Sequence, residues 1–122
     1  MLALVTVLVD DYDRAIAHYT GELGFALLED TPLGGDKRWV RVAPHADDST
    51  ALLLAQASDE AQRVRIGDQT GGRVGFFLQT DDFAAMTARG VQFLEAPRYE
   101  SYATVAVFRD AYGNLWDLLE PK

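Results

Sequence analysis

Few residues in this chain are equipped for covalent or metal chemistry. Its 122 residues include two histidines and no cysteine, which removes disulfides, thiolate metal sites and a cysteine nucleophile together. Ser49, Ser58 and Ser101 have no evident histidine partner for nucleophilic catalysis. Thr70-Gly71-Gly72 is too short for a phosphate loop, and no Gly-x-Ser-x-Gly motif occurs. His18 lies within the helical pattern Tyr12, Ala15, Ile16, Tyr19 and reads as a partly exposed or core-edge residue, while His45 follows Pro44 in a polar stretch and reads as surface. No His-x-x-His spacing or His–Glu pairing stands out. What remains is a carboxylate and a set of rings. Asp117 interrupts the apolar run Leu115-Trp116-Asp117-Leu118-Leu119, where it can accept a hydrogen bond or a proton. Tryptophan, tyrosine and phenylalanine at alternating strand positions can stack on a planar molecule or hold a cation over a ring face.

The elements that must position these residues come in two copies. The first runs Val5-Thr6-Val7-Leu8-Val9, Asp10-Asp11-Tyr12, a helical stretch and Leu23-Gly24-Phe25; the second runs Gly75 to Thr80, Asp81-Asp82-Phe83, a helical stretch and Arg89-Gly90-Val91. The aspartate pairs stand 71 positions apart (81 − 10) and the glycines 66 (90 − 24), so the second helix is shorter. Aspartate before each helical stretch can cap the free N–H groups of its first turn. Strands are predicted over 2–9, 25–30, 37–43 and 50–56, then over 73–80, 91–95, 102–109 and 114–120. The first helix is predicted to bury Tyr12, Ala15, Ile16, Tyr19 and Leu23, and the second, over 81–89, to turn Phe83, Met86 and Thr87 to its sheet. Each half is therefore βαβββ, and the class is α+β with curled mixed sheets enclosing a cleft. The boundaries are a module over about 1–57, a polar segment 58–71 able to serve as a lid, and a module over about 72–122, together one domain.

Composition narrows the partners. Hydrophobic content of 48% suits a packed core, and eleven basic against nineteen acidic residues give a net charge of −8, which disfavours nucleic acid. No apolar run approaches the ~20 residues of a membrane span, and Met1-Leu2-Ala3-Leu4-Val5 lacks the basic start of a signal peptide. A cytoplasmic protein is the expectation.

The last hairpin, Phe108-Arg109-Asp110-Ala111-Tyr112-Gly113-Asn114-Leu115-Trp116-Asp117-Leu118, resembles the closing hairpin of the vicinal oxygen chelate superfamily, which includes glyoxalase I, bleomycin resistance proteins and extradiol dioxygenases. Ala111 stands where that family usually has proline. The opening from Val9-Asp10-Asp11-Tyr12 through Tyr19-Thr20 to Leu23-Gly24-Phe25 is similar to the family's first strand and helix, so the resemblance spans essentially the whole chain. It implies two βαβββ modules, and a divalent ion in the metalloenzymes of the family. Carried onto this chain, the four ligand positions fall on Leu4, within Leu52-Leu53-Leu54, on Gly75 and on Asp117. Only Asp117 is a ligand type, and one carboxylate cannot replace the three or four protein ligands such ions need. The expectation is therefore no cofactor, with a divalent metal as the departure from it.

The residues expected to line the cleft are Trp39 and Arg41, which share one face of their strand; Phe77 and Gln79, which share the face of Gly75; Tyr99 from the preceding loop; and Tyr102, Thr104 and Phe108 as a further same-face set. Asp117 on the adjacent strand is the catalytic candidate. The resemblance implies a small-molecule binder of the resistance type, taking an aromatic or cationic molecule without a metal. The alternatives are a lyase, isomerase or dioxygenase using a non-standard metal site or Asp117 as base, and a non-catalytic interaction module. Family members commonly form homodimers, and the same is expected here.

Overall fold

Aliphatic and β-branched residues set the first strand, β1 (Leu4–Val9), and Asp11 stops it by capping the helix that follows, its carboxylate accepting from the Arg14 backbone N–H at 2.8 Å. The computed structural model describes residues 1–122 and divides into two compact units, Met1–Ile66 and Gly67–Lys122. The class is α+β. No helix is long and apolar enough to cross a membrane.

In the first unit, β1 is followed by α1 (Tyr12–Ile16), β2 (Ala26–Gly34), β3 (Lys37–Ala43), β4 (Ala51–Gln56) and a short α2 (Glu60–Arg63). The sheet order is β1-β4-β3-β2, with β1 parallel to β4 and the other pairs antiparallel. The first helix does not continue as an α-helix. From Ala17 to Glu22 it widens into a π-helix, in which the Leu23 N–H reaches the His18 carbonyl at 3.1 Å. The Thr20 hydroxyl donates to the Ile16 carbonyl at 2.7 Å, in competition with the α-helical ladder. The wider turn still buries Tyr19 and Leu23, along with Tyr12 and Ala15, while Ile16 is only half-buried. His18 is buried too, against the edge of the Tyr19 ring, with Nδ1 3.3 Å from a Glu22 carboxylate oxygen one turn on. That His–Glu pair was missed in the sequence because its spacing is ordinary for a helix surface. His45 is exposed, as expected, in a turn where its N–H donates to Asp48.

Strand β2 runs past its expected end, through Pro32 to Gly34. Register shifts at Leu27/Glu29 and Pro32/Gly34, with Pro32 in the strand, suit the sheet's outer edge, where proline is tolerated.

The second unit comprises β5 (Phe76–Gln79), α3 (Phe83–Ala88), β6 (Gln92–Phe93), β7 (Arg98–Tyr99), β8 (Ala103–Arg109) and β9 (Leu115–Pro121). Its order is β5-β9-β8-β6, with β7 also paired to β8, and β5 runs parallel to β9. The strand expected over 91–95 thus shortens to β6, and β7 is an additional strand, after Pro97, in the stretch read as a loop. Phe83 and Met86 are buried as expected. Thr87 is not: it is exposed, and its hydroxyl donates to the Ala84 carbonyl. The helix-side core is a run of rings, Phe83–Phe93–Phe108–Trp116–Phe76, with successive centroids 6.1, 6.0, 5.7 and 4.5 Å apart.

The segment expected to act as a lid is built into the structure at both ends. Asp59 caps α2 through the Gln62 N–H, and Gly67 lies directly against the Tyr112–Gly113 turn.

Candidate functional site

Each sheet has a face turned to its helix and a face turned away, and the chemistry-bearing residues sort between them by strand alternation. In the first unit Arg38 marks the helix side. Its backbone N–H donates to the Tyr12 hydroxyl, its guanidinium sits 5.2 Å from the Tyr12 ring centroid, and it pairs with Asp13 and Asp30 at 2.9 and 2.7 Å. Val40 and Val42 follow it into the core. Trp39 and Arg41 therefore lie on the helix-free face, with Leu53 paired to Arg41 across one strand boundary and Thr6 paired to Leu53 across the next. Arg41 donates to Glu29 at 3.0 Å; that bond, helped by the Thr31 hydroxyl, holds the Glu29 carboxyl below its usual range. Both arginines are thus neutralised locally, and no uncompensated positive patch is left around Trp39.

In the second unit the ring series fixes Phe76, Phe108 and Trp116 on the helix side, so Phe77, Val107 and Asp117 lie on the other. They form one cross-strand row: Phe77 is paired with Asp117, and Asp117 with Val107. Phe77 is 66% exposed, an unusual state for an aromatic side chain in a strand. Gln79 shares its face and is exposed. The 71-residue offset of the duplication maps Thr6 onto Phe77, and the register maps Leu53 onto Asp117, so the two helix-free faces correspond position by position.

Asp117 is the chemically distinctive residue. Its Oδ1 is shut off from solvent and receives no hydrogen bond. Burial raises its pKa above the ordinary carboxylate value, Arg98 partly opposes the shift, and Glu95 adds to it. Arg98 is paired with Glu95 at 3.1 Å and Glu100 at 3.4 Å, and Glu95 also accepts from the Val107 backbone N–H. Nothing in the sequence singles out Arg98 and Glu95, because β7 is two residues long, too short to show a strand period.

The raised pKa has a sign. Below the ordinary carboxylate range Asp117 is protonated whether folded or unfolded and contributes nothing; as pH rises through its raised folded value, ionisation costs stability. Asp117→Asn is therefore expected to raise stability near neutral pH by about 1 kcal/mol, or roughly 4 °C. The gain should vanish near pH 3, and thermal melts across that range measure it.

The remaining expected residues lie elsewhere. Phe108 is fully buried in the helix-side core, contrary to its expected place in a ligand site, because β8 turns its even-numbered residues toward α3. Thr104 follows the same alternation and pairs with Glu120, whose carboxylate accepts from the Phe83 N–H at the start of α3. Tyr99 is paired with Thr104, so it shares that side, and it is exposed; Tyr102 is exposed in the bend before β8. The structure thus gathers Phe77, Gln79 and Asp117 on one face and Trp39 and Arg41 on another, and leaves Tyr99, Tyr102, Thr104 and Phe108 off both.

The residues do not fit a divalent ion. No three His, Cys, Asp or Glu side chains of the chain gather to hold one, and Asp117 is flanked by Phe77 and Val107, which cannot ligate, with a cationic Arg98 nearby.

Comparison with known proteins places this arrangement. An uncharacterized protein of Shewanella frigidimarina is 49% identical over 121 residues, covering 95% of this chain and 90% of that one. The crystal structure of UcmS2 superposes with a TM-score of 0.81 at 30% identity, covering 98% of this chain and 96% of the other. TnmS3, an antibiotic binding protein from Streptomyces sp. CB03234, superposes with a TM-score of 0.77 at 32% identity, covering 100% and 96%. The family model for the Glyoxalase/Bleomycin resistance protein/Dioxygenase superfamily matches residues 2–118, and the chain belongs to that superfamily.

Proposed function

We propose that this protein binds a small aromatic or cationic molecule on the helix-free faces of its sheets, without a metal, in the manner of a sequestering or resistance protein. The observation that carries the reading is Phe77, an exposed aromatic ring beside a carboxylate in a register row that holds no metal-ligating partner. Similarity to an antibiotic binding protein over the full chain supports the same class. A solvated ring on a strand is a stacking surface, and Trp39, half-buried on the corresponding face of the first unit, is another. A cytoplasmic homodimer is part of the proposal; sedimentation measures the assembly.

The test uses two planar probes of equal size that do not titrate, the neutral 10-methylacridone and the permanent cation 10-methylacridinium, followed by tryptophan quenching and thermal shift. At least one should bind saturably, and Phe77→Ala or Trp39→Ala should weaken it about five- to tenfold. No saturable binding of either would contradict the reading.

A second reading has one observation behind it. A desolvated carboxyl with a raised pKa is the form a general base takes, so Asp117 could serve a lyase or isomerase. That reading requires turnover lost in Asp117→Asn.

A further inference from the structure

The charged groups around Asp117 carry the binding proposal one step further, and this step rests on that reading. On β9 the carboxyl lies between Phe77 of β5 and Val107 of β8, neither of which can donate to it from its side chain. The charged groups acting on it are Arg98 from β7 and Glu95 from the segment before β7. Arg98 cannot serve as a private counter-ion, because it is already held by Glu95 and Glu100. One guanidinium thus answers three carboxylates. Asp117 is the member that makes no ion pair with it, and its Oδ1 accepts no hydrogen bond. Beside it stands an exposed ring. A neutral ligand stacked on Phe77 would leave this imbalance as it is. A cation would supply the missing charge and gain both Coulomb attraction and contact with the ring face.

We infer that Asp117 is the charge-selecting residue of the site and that the molecule it selects is a planar cation. Glu95 and Glu100 act on the selection indirectly: by holding Arg98 they keep it from neutralising Asp117. Phe77 supplies affinity without regard to charge. At low pH the protonated carboxyl offers no charge, so cation binding weakens while binding of a neutral ring does not.

The two acridine probes separate these roles, since neither titrates and any pH dependence belongs to the protein. The wild type should bind 10-methylacridinium about tenfold more tightly than 10-methylacridone near pH 8. That preference should shrink as the pH is lowered into the carboxylate range and the carboxyl takes up its proton. Asp117→Asn should remove the preference and its pH dependence, and a cooperative thermal melt shows that the variant is folded. Glu95→Gln should weaken cation binding, because Arg98 is then free to neutralise Asp117. Equal binding of the two probes by the wild type, or a preference that survives in Asp117→Asn, would overturn the inference while leaving the binding reading in place. Failure of both probes to bind would overturn both.

Discussion

Asp110→Ala should be the most damaging single substitution in the second unit, lowering stability by about 4 kcal/mol and the melting temperature by more than 10 °C. The carboxylate is buried at 3% exposure and accepts four hydrogen bonds, from the backbone N–H groups of Tyr112 and Asn114, the Asn114 side-chain amide and the Trp116 indole, all at 3.0 Å. Its own backbone closes the turn as well, with the Asp110 N–H donating to Asn114 and the Asp110 carbonyl accepting from Gly113. Alanine keeps those backbone bonds and leaves two backbone N–H groups and two side-chain donors without the carboxylate that accepts from them. The Asn114 amide and Trp116 indole are buried, and an unpaired buried donor costs about 1–3 kcal/mol. Because Trp116 stacks on Phe108 and packs against Phe76, the loss should pass into the ring series, so indole fluorescence should shift together with the denaturation midpoint. Asp110→Asn, which retains an acceptor oxygen, should cost markedly less. Equal stabilities of the alanine variant and the wild type would show that the turn is held by its backbone alone.

Gly67→Ala comes next, through the backbone. Gly67 sits at φ +75°, where a side chain is strained, and a methyl group built there overlaps the Tyr112 carbonyl oxygen and lies 2.9 Å from its carbon. The contact is backbone to backbone, so no side-chain rotation relieves it. Strain and overlap together should cost about 3 kcal/mol and detach the segment after α2 from the closing hairpin. Gly71→Ala is the matched control. Its φ is +68° but nothing stands within 4 Å of the added methyl, so only the conformational cost of about 1 kcal/mol applies. Limited proteolysis should cut between 64 and 72 faster in the Gly67 variant and at the ordinary rate in the control.

Gly67 also marks a limit of the sequence. The stretch 57–71 is polar and weakly patterned, which suits a lid as well as a connection, and nothing local shows that Gly67 meets a turn 45 residues further on (112 − 67). The fold was legible because it is written in periodic and repeated signals: the paired aspartates and the closing hairpin stand where expected, and the strands depart from expectation chiefly in the longer β2, the shorter β6 and the added β7. The π-helical turn was not, since α- and π-helices bury nearly the same residues and differ in which carbonyl each N–H meets. Strand alternation correctly put Trp39 with Arg41 and Phe77 with Gln79. It also grouped Thr104 with Phe108 correctly, but gave no sign of which face meets the helix. That sign was lost for β8 because both of its faces are apolar, with Val105 and Ala106 buried on opposite sides.

Asp117 shows the same division between what is local and what is not. Its isolation in an apolar strand is plain in the sequence, whereas its electrostatics depend on Arg98 and Glu95, which approach from a two-residue strand. The loss of ligand types at Leu4, 52–54 and Gly75 is likewise plain, and the structure adds that the neighbours of Asp117 are a ring, a valine and a shared guanidinium.

Binding without a metal is the central claim, and one titration tests it most directly. Protein stripped with EDTA and dialysed should bind 10-methylacridinium with the same affinity as untreated protein, and added Ni²⁺, Zn²⁺, Mn²⁺ or Fe²⁺ should neither strengthen that binding nor raise the melting temperature by saturable linkage. Binding lost on chelation and restored by one of these ions would contradict the account and return Asp117 to the role of a metal ligand.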